Sequence, residues 1–403
     1  MADKELKVSK VPNLRFPEFN GEWEVKKLGE IAVFSKGKGI SKSDIDGSGI
    51  TECIRYGELY THYKEVIIDI KSKTNINKSD LILSEENDVI IPASGETKID
   101  IATASCILKS GIALGGDLNI IKSNNINGVF LAYYLNSKKK REIANLAQGI
   151  SVVHLYSSQL SSLHIILPEL NEQQKISGFL TLLDERIQTQ NKILRELIVL
   201  KSSFAKKIFE RDLFFKNEMG FSYDEWKEMK LREVVNINMG QSPESSSYNL
   251  ENVGYPLIQG NADIVDRVSE PRQYTSKPTK FCEIGDILLT VRAPVGYVAR
   301  SKHNACIGRG VCSIKTKGNT QLEYVYQFLQ YFEMKWKSLE QGSTFTAVNS
   351  SDIGSITIMI PSVLEQKKIV NFLSAINKKI VLEKCILEVT EKQKKKLLSQ
   401  LFV

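Results

Sequence analysis

Apolar residues along this chain follow two spacings, and each spacing occurs twice. Across about 13–170 and 212–362 they form short runs separated by glycine and asparagine, as at Val66–Ile68, Val89–Ile91, Leu163–Leu167, Ile287–Val291 and Ile356–Ile360. Such runs predict strands closed by turns. Val129–Leu135 and Tyr324–Trp336 read as helices among them, so each stretch is expected to be an α+β domain.

The second spacing is helical. Ile176, Leu180, Leu183, Ile187, Gln190, Leu194, Leu197, Lys201, Phe204 and Ile208 step alternately by four and three residues. Ile369, Leu373, Ile376, Ile380, Glu383, Leu387, Thr390, Lys394, Leu397 and Leu401 repeat the same register. Alternating steps of this kind draw one narrow stripe along a helix, the seam of a coiled coil. Asn171 with Gln174, and Ser362 with Glu365, supply capping signals at the two starts. Each helix is expected to run about 40 residues, or about 60 Å. A helix that long does not bury its seam alone. The two are therefore expected to pair antiparallel within the chain, the plainer alternative being that they serve different domains or chains. In that register Gln190 and Glu383 lie close together near a pseudo-twofold axis, fixing register at a cost in stability.

Both spacings belong to one internal repeat. Gln148–Phe209 aligns without a gap on Gln341–Phe402, a displacement of 193 positions with 18 of 62 residues identical. Gln-Gly, Ser-Ser, the proline at Pro168 and Pro361, Glu-Gln at 172–173 and 365–366, and Phe-Leu at 179–180 and 372–373 all recur. Upstream, Glu22-Trp23 matches Glu225-Trp226, Gly57 matches Gly260, and Asp88–Ile91 matches Asp286–Leu289 with a shifting offset. Repeated units need one fold and two copies of it. The expectation is α+β: two similar recognition-type domains at 13–170 and 212–362, separated by helical spacers at 171–211 and 363–403. The helices form an intramolecular, pseudo-twofold coiled coil.

Composition narrows the chemistry. The net charge of +7 over 403 residues permits a nucleic-acid partner without requiring one. Six cysteines show no CxxC pair, and the four histidines do not cluster, so no metal site is expected and the thiols read as reduced and mostly buried. No run of about 18 apolar residues spans a membrane, and the charged N-terminus lacks a signal peptide's apolar stretch, which points to the cytoplasm. There is no Pro-Pro dipeptide for an amino-methyltransferase motif, no GxGxxG and no P-loop. Glu365-Gln366-Lys367 resembles half a nuclease motif, but capping explains it better. No catalytic residue is assigned.

The loops supply candidate DNA contacts instead. Ser35–Gly39 offers Lys36 and Lys38 beside glycines that let backbone approach phosphates, the alternative being a solvated hairpin tip. Arg55-Tyr56-Gly57 corresponds to Gln259-Gly260-Asn261, and Ser94, Thr97 and Lys98 correspond to Arg292 and its loop. Amides suit adenine and arginine suits guanine, whereas a structural arginine paired with a carboxylate is the competing reading. His154 and Tyr156, with Thr344 and Phe345, occupy the loop before each domain's last strand; Gln241 and Arg309 complete the set. Lys138–Arg141 and Lys394–Lys396 are basic runs, ordinarily solvated helix faces.

The pattern GxxxxxLxxxxLxxxxIxLPxxxEQxxI…L…I, met around Gly149–Leu194 and again around Gly342–Leu387, resembles the specificity subunit of type I restriction–modification systems. The resemblance covers nearly the whole chain. It implies two domains each reading half of an interrupted site in double-stranded DNA, and helices that set the gap and dock two methyltransferase subunits. It further implies restriction–translocation subunits attached through these. The chain itself would bind no cofactor, its partners using S-adenosylmethionine, ATP and Mg, with adenine methylated. A coiled-coil protein adaptor and a self-sufficient modification enzyme are the alternatives, the latter disfavoured by the missing motifs.

Overall fold

The computed structural model describes residues 10–340 and 347–403, the side chains of 337–340 excepted, and falls into two compact units. One comprises Met1–Asn191 with Cys385–Val403, the other Lys192–Lys384.

In the first unit Glu24–Lys27 pairs antiparallel with His164–Leu167. Between them in sequence lies a five-stranded sheet in the order 33–36, 118–122, 89–92, 105–107, 66–67, and a four-stranded sheet in the order 72–74, 51–54, 113–114, 82–83. Strand Val89–Pro92 shows why its sequence is an unbroken apolar run. Successive side chains point to opposite faces, and both faces are buried: Ile90 packs with Ile54 and Leu114 of the second sheet, while Val89 and Ile91 pack with Phe130 and Tyr134 of the helical layer. The second unit repeats the plan. Lys227–Lys230 pairs with Thr357–Ile360, beside a six-stranded sheet and a five-stranded sheet. The expected strands and the helices Gly128–Tyr134 and Leu322–Glu340 are all present.

The long helices are Leu170–Phe209 and Val363–Leu401, of 40 and 39 residues. Ile176, Leu180, Ile187, Ile208, Ile369, Leu373, Glu383, Thr390 and Leu401 are buried in the stripe. Leu183, Gln190, Leu194, Leu197, Ile376, Ile380, Leu387 and Leu397 are half-buried. Each unit contains part of both helices. In the first, Ile176 and Leu180 share a core with Leu401 and Phe402, and Lys394 pairs with Asp184 at 2.7 Å. In the second, the Phe204 and Phe372 rings meet edge-on at 5.0 Å and Lys201 donates to Asn377 at 3.0 Å. Numbers rise along one helix as they fall along the other, so the pairing within each unit is antiparallel. Glu383 is joined to Lys379 one turn earlier.

Each helix ends in a phenylalanine that inserts into the domain where the other helix begins. Phe402 packs edge-on against Phe130 at 5.3 Å and Tyr134 at 5.7 Å; Phe209 packs likewise against Tyr324 at 5.6 Å and Phe328 at 5.5 Å. This explains why Phe209 and Phe402 are identical in the repeat.

The Glu-Gln pair has an equally definite task, though not the expected one. Gln173 donates to the Pro168 carbonyl at 2.8 Å and accepts the Asn127 amide at 2.9 Å; Gln366 donates to Pro361 and accepts from Gln321 at 2.9 and 2.8 Å. Each glutamine thus rivets the helix start to the domain's helical layer. Asn171 and Gln174 make no cap, because the helix already begins at Leu170 and both side chains are exposed. At the second start the Ser362 hydroxyl accepts the Glu365 amide at 3.4 Å, but the Glu365 carboxylate turns away to the Trp226 indole at 2.9 Å. Burial pushes the Glu365 carboxyl up, partly offset by that indole and the Phe215 amide. Glu172 pairs instead with Arg15 at 2.6 Å. Replacing Gln366 by Leu strands a half-buried amide and a buried carbonyl, so the second unit should lose about 2–3 kcal/mol. Urea unfolding checks this, and a loss below about 0.5 kcal/mol would contradict the rivet.

Candidate nucleic-acid interface

In the first unit several loops converge on one rim. Strand Val33–Lys36 enters a turn in which Gly37 donates to the Leu118 carbonyl, Lys38 to Leu114, and Gly116 to Gly39. A Cβ on Gly37 would overlap the Gly115 carbonyl, so glycine is required for close chain approach. The Gly37 and Lys38 amides are bound to neighbouring strands, so at Ser35–Gly39 the lysine side chains are the groups left to meet a phosphate. The lysine side chains remain exposed. Lys36 Nζ lies 5.8 Å from the centre of the Tyr156 ring, and His154 stacks beside Tyr156 at 6.4 Å. The pairing of Ser94 with His154, and the bond from the Leu155 amide to Ala93, holds that segment in place. Buried Asn119 supports it from below, donating to Leu155 at 2.9 Å and accepting from Ser157.

Other candidates have structural duties. Arg55 reaches the rim beside Gly115, but its guanidinium donates to Glu58 at 3.3 Å and its amide is capped by the same carboxylate. Ser94 is buried. Thr97 caps the helix Lys98–Ile101, accepting from Asp100 at 3.1 Å and donating to its carboxylate at 2.6 Å. The cap uses the hydroxyl's hydrogen and one of its two lone pairs. Tyr56 is half-buried against the sheet core, whereas Lys98 is exposed.

The second unit builds the same rim from other side chains. The Gln241 amide donates to Ile307 where Lys38 donates to Leu114, and Gly308 to Ile258 where Gly115 donates to Ile54. Val348 donates to Val291 where Leu155 donates to Ala93, and Arg292 bridges Ala347 where Ser94 pairs with His154. Arg55 therefore corresponds to Gln259 and Gly57 to Asn261, so the sequence match of Gly57 with Gly260 is one residue out of register. A single aligned glycine between divergent segments carried too little information to set it, whereas the match of Arg55-Tyr56-Gly57 with Gln259-Gly260-Asn261 has the observed register. Gln241, Gln259 and Arg309 line one open cleft of 670 Å³ with Ser242, Glu244 and Tyr248. The Arg309 amide and Nε both approach the Ser242 hydroxyl, at 3.1 and 3.4 Å. Asn261 and Arg292 are exposed. The loop after Arg292 folds back through Thr290, which donates to Pro294 at 2.6 Å, and Gly296 lies against the buried Trp336 ring. Thr344 and Phe345 lie outside the described residues.

Ser242 and Tyr248, which line that cleft, were missed in the sequence and had no signal there. Asn349, 193 positions after Tyr156 in the ungapped repeat, caps the helix Ser350–Gly354. The buried thiols of Cys106 and Cys312 are pushed up to about 12 by burial, which keeps them protonated and unreactive. Among the described residues, no helix is long and apolar enough to cross a membrane.

The model of the type I restriction modification DNA specificity domain matches this chain twice, at residues 20–198 and 223–392. The chain belongs to this family. It is 36% identical over 288 residues to a chain named as the MjaX specificity subunit of Methanocaldococcus jannaschii, covering 69% of this chain and 68% of that one. Similarity to the type I restriction enzyme MjaVIII specificity subunit of the same organism is 26% over 427 residues, covering 99% and 95%. The crystal structure of a type I restriction–modification S subunit from M. genitalium shares the fold, with a TM-score of 0.65 at 18% identity over 97% of this chain and 99% of that one. Two specificity domains joined through long helices are thus the architecture of the family and of this chain.

Proposed function

We propose that each rim reads one half of a bipartite, gapped site in double-stranded DNA, within a type I restriction–modification complex. Methyltransferase subunits docked on the helix pair would methylate adenine, and restriction–translocation subunits would join through them. S-adenosylmethionine, ATP and Mg would be used by those partners, this chain supplying recognition without catalysis.

One observation carries the reading: the same hydrogen-bonded backbone rim occurs in both units with different chemistry on it. The first presents Lys36, Lys38, His154 and Tyr156, the second Gln241, Gln259, Arg292 and Arg309. Lysines and an aromatic suit phosphate and stacked or apolar contact, whereas amides and arginines suit adenine and guanine edges. Twofold backbone with unlike side chains fits a reader of two unlike half-sites. A protein adaptor would need no such contrast of side chains on a shared backbone rim.

The test is selection from a random duplex library by the chain assembled with methyltransferase partners. A two-part motif with a fixed gap is expected; absence of any enriched motif would sink the proposal. Arg292→Ala should relax one base position in one half by about 1–3 kcal/mol of discrimination and leave the other half unchanged. An unaltered motif would remove Arg292 from the reading surface.

A further inference from the structure

The two basic runs noted in the sequence are used by neither rim, and the first unit brings them together. Lys394 sits in the seam, paired with Asp184 at 2.7 Å and 5.3 Å from the centre of the Tyr133 ring. Tyr133 belongs to helix Gly128–Tyr134, which passes through a π turn at Leu135–Lys139 into helix Lys140–Leu146. The π turn inserts an extra residue into the helical register. Lys139 is held by Glu142 at 2.6 Å and Lys140 by the Thr103 hydroxyl at 3.3 Å, leaving Lys138 and Arg141 exposed.

The basic helix lies against the helix Lys98–Ile101, which in turn lies against the strand Val153–His154 of the rim. Lys98, Lys138 and Arg141 are exposed on the elements between the rim and the long helix, and Lys392, Lys395 and Lys396 are exposed on that helix, on the sides turned away from the anchored Lys394. None of these six cations is paired with a carboxylate in the described structure. The acidic groups beside the path are engaged: Glu142 by Lys139, Asp100 by Thr97 and Glu65 by Lys394, while Glu388 and Glu391 share the long helix.

The second unit lacks this feature. The repeat places Val199, Ser202 and Ser203 opposite Lys392, Lys395 and Lys396. Its domain helix carries Phe332-Glu333-Met334-Lys335 in the corresponding stretch, with Glu333 bound to Arg267 at 2.6 Å and Lys335 held over the Tyr331 and Phe332 rings at 5.1 and 5.7 Å. A merely solvated face would not need cations free of carboxylates on three successive elements.

We propose that this track is a phosphate-binding surface that carries the duplex backbone from the first rim on to the helix pair. The chain then grips DNA asymmetrically, with a sequence-independent anchor on its first unit only. This rests on the DNA-reading proposal above and adds a surface to it.

The experiment measures binding of the full chain, with its methyltransferase partners, to its selected duplex and to an unrelated one across a KCl series. Neutralising two phosphate contacts by Lys138→Ser with Arg141→Ser should lower the slope of log K against log salt by about 1.8. Affinity should fall roughly 60-fold at 0.1 M salt, equally for both duplexes, and return to the unmutated value toward 1 M. Lys395→Ser with Lys396→Ser, on the long helix, should act in the same direction, and the selected motif should not change. The same charge loss at exposed Lys71 and Lys78 should leave the slope alone. An unchanged slope in both track variants, with normal melting, would overturn the track, as would loss of partner assembly at unchanged slope, which would mark a protein-docking face. If the unmutated complex shows no salt-dependent DNA binding, the DNA-reading proposal itself fails.

Discussion

Phe402→Ala, one residue from the end of the chain, is expected to destabilise the first unit by about 3–5 kcal/mol. The ring is about 1% exposed and lies between Phe130 and Tyr134, in the same core as Ile176 and Leu180. Truncation removes the buried ring surface and leaves a cavity the aromatic neighbours only partly close. Hydrogen exchange should show protection falling in Gly128–Tyr134 and the start of the first long helix, while Leu322–Glu340 keeps its own. A loss below about 1 kcal/mol, or one centred on the second unit, would contradict the packing. Phe209→Ala should give the mirror-image result.

Removing one heptad from each long helix, Ile187–Ile193 and Ile380–Ile386, should shorten the gap in the recognised DNA without altering either half-site. Seven residues span about 10 Å of helix, equivalent to about three base pairs. The deletion preserves the four-and-three stepping, because Leu194 and Leu387 take the seam places of Ile187 and Ile380. The rims are untouched, so the chemistry at each base stays as it was. Methylation mapping reads the outcome directly. A changed half-site sequence, or an unchanged gap in a folded complex, would reject the helices as the spacer.

These two predictions differ in how much of their basis was legible in the sequence. The heptad stripe was fully so: burial of Ile176, Leu180, Ile369 and Leu373 follows from spacing, since a helix has one period and one face per stripe. The insertion of Phe402 was not. Its identity with Phe209 was visible, but which domain receives it depends on a contact between residues more than 260 positions apart. The Glu-Gln pair shows a similar split. Its recurrence was plain, whereas its work as a rivet to Asn127 and Gln321 needed the tertiary neighbours. Among candidate contacts, Lys36, His154 and Tyr156 came together as a surface, while Thr97 caps a helix through Asp100 and Arg55 is tied to Glu58. Local residue type does not distinguish a cap from a contact, because the same hydroxyl or guanidinium satisfies either.

By itself the sequence determined the duplication, the α+β character of each repeat and the two long antiparallel-seam helices, since all three are written in periodicity. Only the tertiary structure decided that each compact unit takes part of both helices, that the two rims share corresponding backbone hydrogen bonds, and that both basic runs fall in the first unit. These depend on long-range contacts, whose closure is set by the packing of whole faces rather than by any local pattern.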